Sequence, residues 1–136
     1  MLVVVDVANV VGSRPDGWWR DRAGAAGRLL ARLARLPGAT VAGPDGTPLT
    51  CTGVVAVVEG AARDVAAPDG VRVVRAAGSG DDALVAAVAE LESPVLVVTA
   101  DRGLRGRLPE RADPAGPGWL LACLDRLDGM IGRTTG

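Results

Sequence analysis

The sequence predicts an α/β domain built on a mostly parallel sheet, and three observations predict it. Short runs of purely apolar, largely β-branched residues recur along the chain, as strands buried on both faces do. Between them lie segments whose apolar residues return at helical spacing. The 136 residues are 49% hydrophobic and 23% charged, enough for one domain with its own core. That domain is placed over residues 1–128, with a flexible tail over 129–136 rich in Gly and Thr.

The first strand, Leu2-Val3-Val4-Val5, runs into Asp6-Val7-Ala8-Asn9. An ionised carboxylate is costly to desolvate, and open α/β sheets bind ligands at the carboxyl ends of their strands. Asp6 is therefore a site candidate; the plain alternative is a cap on the next helix. Val10 to Trp19 reads as a loop from its Gly, Pro and Ser. It sets Trp18 and Trp19 beside Arg14, Arg20 and Arg22, side chains suited to stacking and to phosphates or, equally, to pinning the loop.

A helix follows over Arg22–Leu36, stopped by Pro37-Gly38. Val41–Thr52, with Pro44-Asp45-Gly46 inside it, reads as a hairpin or protruding loop. The second buried strand, Val54–Val58, also ends on an acid, Glu59. A shorter strand, Val71–Val74, leads to Gly78-Ser79-Gly80-Asp81-Asp82 and a helix over Asp81–Leu91. Ser79 and Asp82 have capping-box spacing, which can occupy one carboxylate and leaves the other in surplus. The fourth strand, Val95–Thr99, ends in Ala100-Asp101. A short basic helix (Arg102–Leu108), a Pro/Gly-rich stretch (Pro109–Gly118) and a last helix (Trp119–Leu127) complete the domain.

Composition removes several chemistries. The chain has no histidine and no lysine, and all 15 basic residues are Arg. A histidine triad, a His-ligated zinc, a Walker A loop, a Schiff-base lysine and a lysine-dependent receiver domain are excluded. A Gly-rich dinucleotide turn is absent after the first strand. Cys51 and Cys123 fit no metal or redox spacing. No apolar run is long enough for a membrane span, and no basic segment precedes Leu2, so the cytoplasm is the expected compartment. Net charge is −1, but residues 10–36 carry +4, residues 59–92 carry −4 and residues 101–111 carry +2.

In a parallel sheet all strand ends share one edge. Asp6, Glu59, Asp81 or Asp82, and Asp101 are then expected to converge from distant positions. Packed carboxylates repel and raise one another's pKa unless a cation neutralises them. Oxygen ligands without His or Cys select Mg²⁺ or Mn²⁺, ions that commonly serve phosphoryl chemistry.

These residues resemble a known family. Asp6-Val7-Ala8-Asn9 is similar to the D-x-x-N opening of NYN domains, a branch of the PIN-like nucleases. Val58-Glu59-Gly60 with Arg63, Ser79-Gly80-Asp81-Asp82-Ala83-Leu84, and Thr99-Ala100-Asp101-Arg102-Gly103-Leu104-Arg105 resemble its later motifs in order. The likeness spans roughly residues 2 to 108 and is nearest to the YacP-like subgroup. Val7 departs from the family's usual Gly, and Glu59 from the subgroup's Asp.

The resemblance implies a three-layer α/β/α PIN-like fold with a central, mostly parallel sheet of four or five strands. It also implies a metal-dependent ribonuclease. Asp6, Asp81 and Asp101 are the expected Mg²⁺ or Mn²⁺ ligands. Asn9 and Thr99 would position the cluster or the phosphate, and Glu59 or Asp82 would add a carboxylate. RNA is the expected partner, met by Arg14, Trp18, Arg20, Arg102 and Arg105. Two rival readings remain: a PIN-like module that binds RNA or protein without cutting, and a hydrolase of free nucleotides. The sequence leaves homodimerisation open.

Overall fold

The computed structural model describes the backbone of residues 1–135 and the side chains of residues 1–129. In chain order the elements are β1 (Leu2–Asp6), α1 (Val7–Val11), a 3₁₀ turn (Trp18–Arg20), α2 (Arg22–Leu33), β2 (Thr40–Ala42) and β3 (Pro48–Thr50). Next come β4 (Gly53–Val58), a second 3₁₀ turn (Gly60–Ala62), β5 (Val71–Arg75), α3 (Gly80–Glu90) and β6 (Val95–Val98). The chain continues through α4 (Arg102–Arg105), β7 (Ala112–Ala115) and α5 (Pro117–Thr135).

Five strands form one sheet in the order β5-β4-β1-β6-β7, and every pairing in it is parallel. The apolar run Leu2–Val5 is central because both of its faces are covered. Val3 and Val5 pack with α2, with Val7 and Val10 of α1 and with Leu120, Leu121 and Leu124 of α5. Val4 packs with Leu84 and Val88 of α3 and Leu104 of α4. The same alternation divides β4 and β6 between the two layers. The result is the expected α/β/α sandwich, flanked by helices on both faces. No described helix is long and apolar enough to cross a membrane.

The β2–β3 hairpin stands apart as a two-stranded antiparallel sheet, as the turn residues at 44–46 imply. Trp119 Nε1–H donates to the Ala42 carbonyl (2.9 Å), tying α5 to it.

Several boundaries differ from expectation. The chain turns helical at Val7, one residue after β1, because Asp6 Oδ1 caps the new helix at the Asn9 N–H. Arg22–Leu36 closes its α-helix at Leu33. The Pro/Gly-rich stretch contains the fifth strand, Ala112–Ala115. It holds Asp113 and Pro114, which suit an edge position where one side of the backbone needs no partner. α5 begins at Pro117, since proline fits a first helical turn, and its backbone runs to Thr135. The flexible tail expected over 129–136 falls mostly on residues whose side chains, 130–136, lie outside the described residues.

Candidate active site at the carboxyl edge of the sheet

β1, β4 and β6 run parallel, so their carboxyl ends deliver Asp6, Glu59 and Asp101 to one edge, with the start of α3 beside them. Asp6 lies on the same face of β1 as Val4, the face that α3 covers. Its carboxylate is only 7% exposed. Oδ1 accepts the Asn9 N–H (3.3 Å) and Oδ2 accepts the hydroxyl of the fully buried Thr99 (3.1 Å). Burial pushes the Asp6 carboxyl above its ordinary value. The two hydrogen bonds oppose that shift, while the charges of Asp81 and Glu59 add to it.

Thr99 is the hub of this edge. While its hydroxyl donates to Asp6, Oγ1 accepts the Asp101 N–H (3.1 Å). Asp101 in turn caps α4, its Oδ1 accepting the Leu104 N–H (3.1 Å). Asn9 crosses from α1 to accept the Ala100 N–H on Oδ1 (2.9 Å). The ends of β1 and β6 are therefore laced together by three side chains whose identities the motifs specify. Arg105 completes the lacing: Nε and Nη2 donate to the Thr99 carbonyl at 3.2 and 2.7 Å.

Glu59 closes the other side. Its Oε2 accepts the Gly80 N–H at 2.6 Å, placing a negative charge at the amino end of α3. A Cβ on residue 80 would stand 2.7 Å from the Glu59 carboxylate, so any side chain there would push the end of Glu59 off the helix start. Asp81 follows, half-buried at the helix start. Its carboxyl is raised first by burial and then by the charges of Asp101 and Glu59. Arg107 opposes the shift, and a hydrogen bond with Asp101 adds to it.

Asp6 thus feels the charges of Asp81 and Glu59, and Asp81 those of Asp101 and Glu59. Asp82 is directed elsewhere: its exposed carboxylate pairs with Arg107 at 2.7 Å. Ser79 Oγ is 3.5 Å from the Asp82 N–H, a long cap. Among the described residues no three acids stand close enough together to hold one ion as they are placed. The donors facing this edge are all oxygens, which suits a hard divalent cation.

The basic and aromatic residues divide. Arg14 pairs with Asp125 of α5 (3.1 Å), and Arg105 is held on the Thr99 carbonyl. Arg20 and Arg102 are exposed, and among the described residues neither pairs with a carboxylate. Trp18 is half-buried and meets Trp19 edge to face at 5.9 Å. The Arg22 guanidinium lies over the Trp18 ring, 5.4 Å from its centre. Sequence reasoning missed the Arg105 clamp and the Glu59–Gly80 contact. Neither has a local signal, since each depends on elements meeting in space.

No protein-family model matches this chain, and no curated protein matches it. Among solved structures its fold is similar to that of Rae1 (YacP) from Bacillus subtilis, with a TM-score of 0.69 at 18% identity. That alignment covers 99% of this chain and 79% of the other. A tryptophan-to-leucine variant of the same protein aligns with a TM-score of 0.65, also at 18% identity, over 98% and 79%. This chain accordingly shares the fold of YacP, helices on both faces of a five-stranded parallel sheet.

Proposed function

We propose that this chain, folded as YacP is, is a metal-dependent ribonuclease that hydrolyses RNA phosphodiester bonds at the acidic edge of its sheet. One observation carries the reading: Asp6, Asp81, Asp101 and Glu59 come from separate elements to one edge of the sheet, where burial first and the neighbouring acids second raise the carboxyls of Asp6 and Asp81. Such a cluster is repulsive without a cation, and its oxygen-only donors suit Mg²⁺ or Mn²⁺. Asp6, Asp81 and Asp101 are the residues that would hold the ion. When bound, a divalent ion supplies charge stabilisation at a phosphoryl oxygen and an activated water.

The chain's own residues do the positioning. Thr99 orients Asp6 through its hydroxyl and Asp101 through its backbone. Asn9 fixes the Ala100 peptide between them, and Glu59 sets the start of α3, which carries Asp81. Of the four arginines expected to meet RNA, the exposed Arg20 and Arg102 are the ones with no carboxylate or carbonyl partner among the described residues.

The test joins binding to turnover. Mn²⁺ is titrated calorimetrically into metal-free wild type and Asp101→Asn, and both are assayed on labelled single-stranded RNA with Mn²⁺ or Mg²⁺. Wild type is expected to bind Mn²⁺ and cut, and Asp101→Asn to bind it more weakly and cut at least roughly 100-fold more slowly. Intact RNA after prolonged incubation of wild type with saturating metal would overturn the reading.

A further inference from the structure

A cleft of about 340 Å³ opens beside the acidic edge, between α1, the start of α2 and the turn after β4. Trp18, Arg22, Glu59, Gly60, Ala8 and Gly78 are among the residues that line it. Its volume falls in the range of small-ligand sites, roughly 300–1,000 Å³. Glu59 belongs both to this cleft and to the group of acids that Asp6 and Asp81 sense. The cleft therefore borders the proposed reaction centre through Glu59.

We infer that this cleft receives one unpaired base of the RNA, next to the phosphate that is cut. The inference rests on the ribonuclease reading and adds a substrate-binding subsite to it. Trp18 supplies a wide, flat indole surface, and bases of every kind stack on such rings. Gly60 and Gly78 contribute no side chains, which leaves room for a planar ring. Arg22 also lines the cleft, its guanidinium over the indole, and supplies a cation for the sugar–phosphate chain of the bound base. A base inside a duplex is stacked on both faces and is not free to enter, so the cleft selects unpaired RNA.

Two other cavities carry less. One, beside α2, is lined by Arg14, Arg28 and Arg32, but Arg14 and Arg32 are already paired with Asp125. The other lies along the β2–β3 hairpin, against Met1 and Asp113, away from the acidic edge.

The test measures binding of a fluorescein-labelled single-stranded oligoribonucleotide by anisotropy, with Ca²⁺ replacing Mg²⁺ or Mn²⁺. It is read for wild type, Trp18→Ala and Trp18→Phe, whose folding is checked by thermal melts. Trp18→Ala is expected to weaken binding roughly 10- to 100-fold, while Trp18→Phe, keeping a ring, retains most of it. A series of oligomers, each with one base removed, then locates the partner. Removing one base is expected to cost wild type about what Trp18→Ala costs, and to cost Trp18→Ala nothing further.

Wild-type binding by Trp18→Ala, or losses that add in full at every position, would overturn the inference. So would a duplex of the same sequence binding as well as the single strand. Free nucleoside monophosphates that compete at the oligomer's own concentration would assign the cleft to a free nucleotide and overturn the RNA assignment. The two readings fail separately. RNA cut with additive losses leaves the nuclease and removes the subsite, whereas RNA bound in the expected pattern and never cut does the reverse.

Discussion

Asp6 has two tasks that pull its protonation in opposite directions. As a helix cap and acceptor for Thr99 it is favoured as an anion, while burial and the neighbouring acids favour the neutral form. Burial is the largest of these influences, so the carboxyl lies above its ordinary value of 3.8 in the folded chain. Below that value Asp6 is protonated whether the chain is folded or not, and it costs nothing. As the pH climbs through the ordinary value the unfolded chain gives up this proton first, so the metal-free protein loses stability up to the raised value. Asp6→Asn cannot ionise and is expected to show a shallower decline in urea midpoint between about pH 3 and 8. Identical slopes in the two proteins would remove Asp6 as a source of that pH dependence. Asp6, Thr99 and Asp101 were legible in the sequence because each sits where an apolar strand run stops, and a parallel sheet gathers such ends. Arg105 was legible as a cation only. Read as a phosphate contact, its guanidinium sits on a carbonyl instead, a choice set by the path of α4 and not by any local pattern.

At the scale of elements, α3 is held at its amino end by a side chain from β4. The Glu59–Gly80 contact fixes where the helix starts and so where Asp81 emerges. Alanine at position 80 would ordinarily favour a helix, but here its Cβ meets the Glu59 carboxylate at 2.7 Å. Gly80→Ala is expected to displace the Glu59 carboxylate from the residue 80 N–H and to cost about 0.5–1.5 kcal/mol in chemical denaturation, the range for a lost hydrogen bond. The same change made on Glu59→Ala should cost much less, because the obstruction has gone. Equal costs in both backgrounds would show that Glu59 does not dictate the glycine. The sequence displayed the helix and its acids but not this constraint, since Glu59 and Gly80 meet only after β5 has crossed between them. β7 was hidden for a different reason. Ala112-Asp113-Pro114-Ala115 has none of the apolar weight of the inner strands, and an edge strand needs none.

At the scale of the whole molecule, the uneven charge along the chain is partly consumed within the fold. Arg14 from the loop after α1, Arg32 of α2 and Arg35 just past it face Asp125 and Asp128 of α5, with contacts of 2.5–3.1 Å. The hydrogen bonds from Arg32 and Arg14 hold the Asp125 carboxyl below its ordinary value, so any stability it lends is present above that value and fades as the pH falls through the lowered one. These side chains are largely solvated, and Asp125→Ala is expected to cost no more than about 1 kcal/mol. The cost should shrink in high salt when thermal midpoints are compared, and a larger, salt-insensitive loss would mean that the network is more than a surface clasp. The position of β1 has a consequence in time. Its register partners begin at Gly53 on one side and Val95 on the other, so the middle of the sheet waits for segments translated much later. A ribosome adds roughly 5–20 residues per second, which leaves Leu2–Val5 without its second neighbour for seconds. Until β6 arrives, Asp6 has neither Thr99 nor Asp101 beside it. On the proposed reading, a nascent chain cannot attack RNA until its sheet is nearly finished, and synthesis itself acts as the safety catch.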